Sequence, residues 1–269
     1  MNKLNINVWI GNKQIDIPDI INAEDRRIFH VLTEINSLGA QLYFDNSPVS
    51  LENVYIMSPN DRKKILLDTK QKIDDSEMLS LYAKKLKSSD HFWKKIADKS
   101  RDKVNLKRSS VTLDVEGVTV VDFLTFNQQL NLNGNSSTGD QINPEHYVFS
   151  AQESQQNVME NLGIIEEPTY FKLQVVSPEV YSPISLDKDT TFAMGCKMFL
   201  QSDGSDMKVY GLHQFKDRNT GLSVKLGIFF PEETPDFVIS GHQEHLATEF
   251  YNAMLMTYNN KIADSSTTN

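Results

Sequence analysis

The tightest constraint in this chain lies between residues 192 and 230, where apolar side chains recur at every second position through three successive segments. Phe192, Met194, Cys196, Met198 and Leu200 form the first set; Met207, Val209, Gly211, His213 and Phe215 the second; Leu222, Val224, Leu226, Ile228 and Phe230 the third. A period of two belongs to a half-buried strand and not to a helix. Asp203-Gly204 supplies a tight turn, and a two-residue loop there sets Met198 opposite Val209 and Met194 opposite His213. Every apolar position then falls on one face. The pattern predicts an antiparallel meander with one side in a core.

Such a face has to be covered. Beyond Pro235, Leu246, Phe250, Ala253 and Met254 share one stripe at helical spacing, so a C-terminal helix is expected to pack on the sheet. A sheet closed in this way resembles the helix-grip lipid carriers in architecture. That resemblance implies an apolar cavity, with Met194, Met198, Met207, Met254 and Met256 as adaptable walls.

Toward the N-terminus, Leu4, Ile6, Val8 and Ile10 alternate with polar partners up to Gly11-Asn12, which reads as a hairpin turn into Gln14–Ile17, with Pro18 ending the pattern. Asn22 is expected to cap a helix over about 24–38, with Gly39 beyond its end. Strands are expected near 41–44 and 54–57. Ser58-Pro59 opens a further helix, and Ser88-Ser89-Asp90 reads as the cap of another. Val111, Leu113 and Val115, followed by Glu116-Gly117 and residues 118–126, suggest a second hairpin.

The fold class expected is α+β: an N-terminal hairpin plus helices, then an antiparallel meander covered by a C-terminal helix. The expected divisions are an N-terminal region at 1–130 with a basic helical segment at 61–108, a polar linker or long loop at 131–146, the sheet with its helix at 147–262, and a polar tail at 263–269.

Composition narrows the function. With 39% hydrophobic residues the chain can bury a real core. Its longest apolar runs fall far short of the roughly 20 residues of a membrane span, and the N-terminus lacks the apolar stretch of a secretory signal. Cytoplasmic residence is the expectation, with export by a signal-independent system left open. The single cysteine, Cys196, excludes an internal disulfide. The net charge of −9 conceals a segregation, because residues 61–108 hold 15 Lys+Arg against 8 Asp+Glu. Lys84, Lys85, Lys87, Lys94, Lys95, Lys99 and Arg101, with Trp93 among them, are the candidate binding residues for another protein, a nucleic acid or an anionic membrane.

Three residues could hold a metal. His242, His245 and Glu249 lie within about 60° of one another around a helix. Against a site, the spacing is not H-E-x-x-H and no fourth ligand is evident. The plainer expectation is a helix capped by Ser240, with Glu244 in its first turn and imidazoles along the rim of the packed face. Cys196 and His213 stand at a diagonal cross-strand position, yet both lie among apolar side chains, where a thiol is inert. The stretch Gly134–Gly139 lacks the lysine of a phosphate-binding loop.

No catalytic motif and no cofactor-binding motif emerges, so the expectation is a non-enzymatic interaction protein, an adaptor or inhibitor-like partner of another protein, with no cofactor. A binder of small apolar molecules and a metal-dependent hydrolase using His242, His245 and Glu249 are the alternatives.

Overall fold

In the computed structural model, residues 3–133, 136–152, 155–163, 167–177 and 185–267 are described. Among them the strands are β1 (Asn5–Ile10), β2 (Lys13–Ile15), β3 (Leu42–Phe44), β4 (Ser47–Val49), β5 (Leu106–Glu116), β6 (His146–Gln152), β7 (Gln155–Glu160), β8 (Thr169–Val176), β9 (Phe192–Leu200), β10 (Asp206–Arg218) and β11 (Gly221–Pro231). The helices are α1 (Ile17–Ser37), α2 (Leu51–Ile56), α3 (Pro59–Lys70), α4 (Asp75–Leu81), α5 (Ala83–Lys99), α6 (Val120–Asn133), α7 (Ser136–Ile142) and α8 (Asp236–Thr267). The class is α+β. No described helix is long and apolar enough to cross a membrane.

The meander forms as its alternation dictates. His213 pairs with Met194 and Gly211 with Cys196, and β11 continues the ladder with His213 opposite Leu226. The register shifts between Asp206 and Tyr210, where Lys208 adopts a left-handed φ of 55°. Met198 and Val209 fall in that irregular stretch, yet both are buried. The sheet then grows beyond the meander to nine antiparallel strands in the order β2-β1-β5-β11-β10-β9-β8-β7-β6. It therefore takes strands from both sides of residue 130. The N-terminal hairpin joins it through β1, which pairs with β5.

Several local expectations are corrected. Pro18 lies in the first turn of α1 instead of merely ending a hairpin, because a proline there forgoes a hydrogen bond that turn lacks anyway, and the helix starts at Ile17 after Asp16, leaving Asn22 inside it and not at its cap. Residues 54–56 are helical, since Ser50 accepts a bond from the Asn53 amide and starts α2. Ser88 and Ser89 cap nothing: α5 already runs from Ala83, and Ser89 is buried within it against Thr169. After Gly117 the chain turns into α6, so β5 finds its partners in β1 and β11. The polar stretch after residue 130 contains α7, while Gly134 and Asn135 lie outside the described residues. Ser240 sits inside α8 and donates back to the Asp236 carbonyl oxygen, because that helix starts at Asp236. Glu244 therefore lies beyond the first turn.

Two cores result. One fills the space between the sheet and α5, α6 and α8, with Trp93, Phe123, Phe171, Phe215, Phe230, Phe250 and Met254. The other joins α1, α3 and α4 to the β6–β7 edge through Leu32, Ile35, Ile65, Leu66, Tyr82, Tyr147 and Met159. The β6–β7 edge belongs to both, since Val158 faces the first and Met159 the second. Polar chemistry is concentrated where they meet.

Candidate metal centre

Strand pairing and a glycine contact bring the site together. His146 on β6 and Glu160 on β7 are direct cross-strand partners, so an imidazole and a carboxylate project side by side. Beyond β7 the chain passes Gly163 at φ 83°, a conformation that favours glycine. There it meets α8 at Gly241. A Cβ on Gly163 would stand 2.1 Å from the Val238 carbonyl oxygen, and one on Gly241 would stand 2.5 Å from that of Gly163. Backbone against backbone, this contact sets His245, one turn further along α8, over Glu160.

The two imidazoles are oriented alike. His146 Nδ1 lies 3.0 Å from the Gly139 carbonyl oxygen, and His245 Nδ1 lies 3.2 Å from Glu145 Oε2. Both partners are acceptors, so each Nδ1 carries the proton and donates it. The two Nε2 atoms are left facing inward. His146 Nε2 is 3.3 Å from Glu160 Oε2, and His245 Nε2 is 3.8 Å from Glu160 Oε2 and 3.7 Å from Glu249 Oε2. One ligand atom each from His146, Glu160 and His245 fall within 4.8 Å of one another. His245 is fully buried, and its Nε2 has no hydrogen-bond partner among the described residues.

A second layer of groups holds these in place. Glu145, itself fully buried, accepts from Arg27 Nη1, from His245 Nδ1 and from Asn161 Nδ2 at 3.1 Å. Burial alone would raise its pKa, but the Arg27 charge and the His245 and Asn161 bonds bring it down to about 2. Arg27 also donates to the Gly241 carbonyl oxygen at 3.0 Å, tying α1 to the same turn of α8. Lys70 donates to the carbonyl oxygens of Pro144 and His146 and pairs with Asp140 at 3.1 Å. Asn161 also donates to the Tyr147 hydroxyl, which donates to Glu34; Glu34 accepts from Tyr82 and Lys85 as well.

The electrostatics distinguish the members. Burial opposes charge on His146, but the Glu160 hydrogen bond and the Glu249 and Glu160 charges outweigh it and raise its pKa. Burial likewise opposes charge on Glu160, and the His245 charge and His146 bond lower its pKa all the same. Glu249 is raised by burial. His242 is lowered to about 3 by burial and the neighbouring His245 charge. Its ring stacks on His245 at 5.2 Å between centroids and meets Phe230 edge-on. Neither of its nitrogens has a hydrogen-bond partner among the described residues.

The structure therefore keeps His245 and Glu249 together and sets His242 apart as a packed, neutral ring. It adds His146, Glu160, Glu145 and Arg27, which sequence patterns did not single out. The one available signal was Asn143-Pro144-Glu145-His146, a titratable pair inside a stretch read as linker.

The basic segment divides. Trp93 is fully buried and donates to Thr169 Oγ1 at 2.8 Å, so it offers no binding face. Lys85 is committed to Glu34, Lys94 to Asp203 and Arg101 to Asp98. Lys84, Lys87, Lys95 and Lys99 are exposed. Met198, Met207 and Met254 are buried in the first core, with Met194 and Met256 packed against it. Burial pushes the Cys196 thiol up to about 12 and His213 down to about 4, the reverse of what a thiolate–imidazolium pair needs.

No protein-family model matches the chain, and no curated protein matches it. Among solved structures, one titled "Crystal structure of Ara h 8.0201" is similar at 12% identity with a TM-score of 0.39, over 58% of this chain and 99% of that one. At that TM-score the likeness carries no argument, and the site stands on its own geometry.

Proposed function

We propose that this chain is a divalent-metal-binding protein whose ligands include His146 Nε2, His245 Nε2 and Glu160. The observation that carries the reading is the convergence of two imidazole nitrogens, each fixed in tautomer by an acceptor on its other nitrogen, on one buried carboxylate. Metal–ligand bonds of about 2.0–2.2 Å in a tetrahedron require donors about 3.3–3.6 Å apart. The two imidazoles stand 3.3 and 3.8 Å from Glu160, and all three ligand atoms lie within 4.8 Å of one another, so the set would contract onto a bound ion. Charge supports the reading too: three carboxylates, Glu145, Glu160 and Glu249, surround His245 against one guanidinium, Arg27. With Glu145 held by Arg27, a bound divalent cation would face Glu160 and Glu249 at a depth where charge is costly without a partner. Two imidazoles with carboxylate favour zinc or a similar transition ion over calcium or magnesium. The Glu145–His245 and Gly139–His146 contacts are the supports that metal-bound histidines need.

A thermal-shift titration of metal-stripped protein tests this. Zinc at about 100 times its Kd should stabilise the fold by about 2.7 kcal/mol, magnesium should not, and His245→Ala should abolish the zinc effect. Equal melting curves with and without zinc would overturn the reading.

A second reading rests on α5, where Lys84, Lys87, Lys95 and Lys99 share one exposed helix face. We infer a contact surface for an acidic protein; with Trp93 buried, no aromatic of the candidate set remains to stack bases. Charge reversal at these four positions should leave the melting temperature unchanged and abolish salt-sensitive association. Association that survives the reversal would remove the surface from the account.

A further inference from the structure

We infer that Glu249 is the fourth ligand of this centre, and that the metal serves to fasten α8 to the β6–β7 edge of the sheet; the inference rests on the metal reading above. The four residues form two pairs of regular geometry. His245 and Glu249 are four apart on α8, which places them on one helix face. His146 and Glu160 are opposed across β6 and β7. A helix pair thus stands over a strand pair.

Seen from His245 Nε2 the two carboxylates are nearly equidistant, although Glu249 stands outside the set of three ligand atoms that lie within 4.8 Å of one another and would join it by turning its side chain inward. His245 Nε2 lies 3.7 Å from Glu249 Oε2 and 3.8 Å from Glu160 Oε2, and neither contact is a hydrogen bond. Glu249 is the most exposed of the four, its side chain 26% accessible against 11% for Glu160 and none for His245. It stands on the solvent side of the site. Three protein ligands with water in the fourth position make a catalytic centre, whereas four protein ligands make a closed, structural one. With Glu249 3.7 Å from His245 Nε2 on the open side, a turn of its side chain toward the other three would complete the closed set within the chain.

The mechanical consequence follows from how α8 is held. Its main chain packs on β5 and β1, near the other end of the strand order, and on α1, α6 and α7. Toward β6 and β7, α8 is joined by the Gly163–Gly241 contact and by His245, whose side chain faces Glu145 and Glu160. An ion bound by all four residues would lock successive turns of α8 to the edge strand β6 and its neighbour β7. Through Glu145 and Arg27 the same clamp reaches α1.

The full-length chain, stripped of metal, should be titrated with zinc against a chromophoric chelator and with cobalt by absorption, while amide exchange is followed along α8. Glu249→Gln should weaken zinc binding by more than about 100-fold, beyond the loss expected from removing a supporting contact. It should also change the cobalt spectrum as water enters the shell. Glu249→His, which restores a donor, should recover binding to within about tenfold. Zinc should slow amide exchange over residues 236–256 in the wild type and much less in Glu249→Gln. If Glu249→Gln binds zinc as tightly as the wild type with the same cobalt spectrum, or if zinc leaves α8 exchange unchanged, the inference falls and the metal reading stands. Absence of zinc binding by the wild type would defeat both.

Discussion

Replacing Gly241 by alanine separates the account from a plain helix-propensity argument, because the two predict opposite signs. In an exposed helix interior, glycine to alanine gains about 1 kcal/mol. Here the new Cβ would lie 2.5 Å from the Gly163 carbonyl oxygen. A tolerable carbon–oxygen contact is about 3.3 Å, so α8 and the chain after β7 must part by about 0.8 Å. Both partners are backbone, and neither can swing aside. Overpacking of this kind costs about 1–3 kcal/mol, and a backbone clash belongs at the upper end. The net expectation is a destabilisation of about 2 kcal/mol, or a fall in Tm of about 4 °C for a chain of this size. Because the same displacement lengthens the 3.8 Å separation of His245 and Glu160, zinc affinity should fall with it. Calorimetry with a parallel zinc titration reads both. A Gly241→Ala protein that melts higher than the wild type and binds zinc normally would refute the close approach and the site geometry built on it.

Other perturbations probe separate parts. Met198→Asp places a charge at a position 3% exposed in the first core and should cost several kcal/mol, read as loss of the folded circular-dichroism signal; a wild-type Tm would contradict the facing of the sheet. Lys70→Met frees the Pro144 and His146 carbonyl oxygens and leaves Asp140 unpaired, so it should destabilise by about 3–5 kcal/mol and weaken zinc binding through His146, as chemical denaturation and zinc titration would show. Burial raises the Asp122 pKa, but the Lys261 hydrogen bond and those from Thr119 outweigh it and leave the carboxyl lowered. Its contribution to stability is therefore present above the ordinary carboxylate pKa of about 4 and lost as pH falls through the lowered value. Melting temperatures across that range should fall more steeply for the wild type than for Asp122→Asn, and parallel curves would show that Asp122 contributes nothing.

Much of the C-terminal half could be read directly, because period-two alternation and a two-residue turn leave few alternatives. The pairing of His213 with Met194 and the burial of Leu246, Phe250, Ala253 and Met254 followed from spacing. The N-terminal half was less legible for local reasons: in α2 a serine cap overrode a short apolar run that resembles a strand, and β5 met partners distant in sequence. Of the candidate centre, the α8 face was visible, since a helical repeat places His245 and Glu249 together. The other half was not. His146 and Glu160 belong to the edge strand β6 and its neighbour β7 and carry no fixed spacing to α8, and Arg27 lies on a helix, 118 positions before Glu145. Sites assembled across a sheet edge leave no periodic signature. His242 was the residue that misled, because a shared helix face does not say which imidazole turns inward to the apolar ring of Phe230.

The central claim is that a divalent ion sits between His146, Glu160 and His245. It is tested most directly by elemental analysis of the purified wild-type chain alongside His245→Ala, each after reconstitution with zinc and removal of excess ion. The account predicts one zinc per wild-type chain and none in the variant, because the missing imidazole removes the ligand on which both carboxylates converge. A wild-type chain that retains no zinc, or a variant that retains a full equivalent, would contradict it.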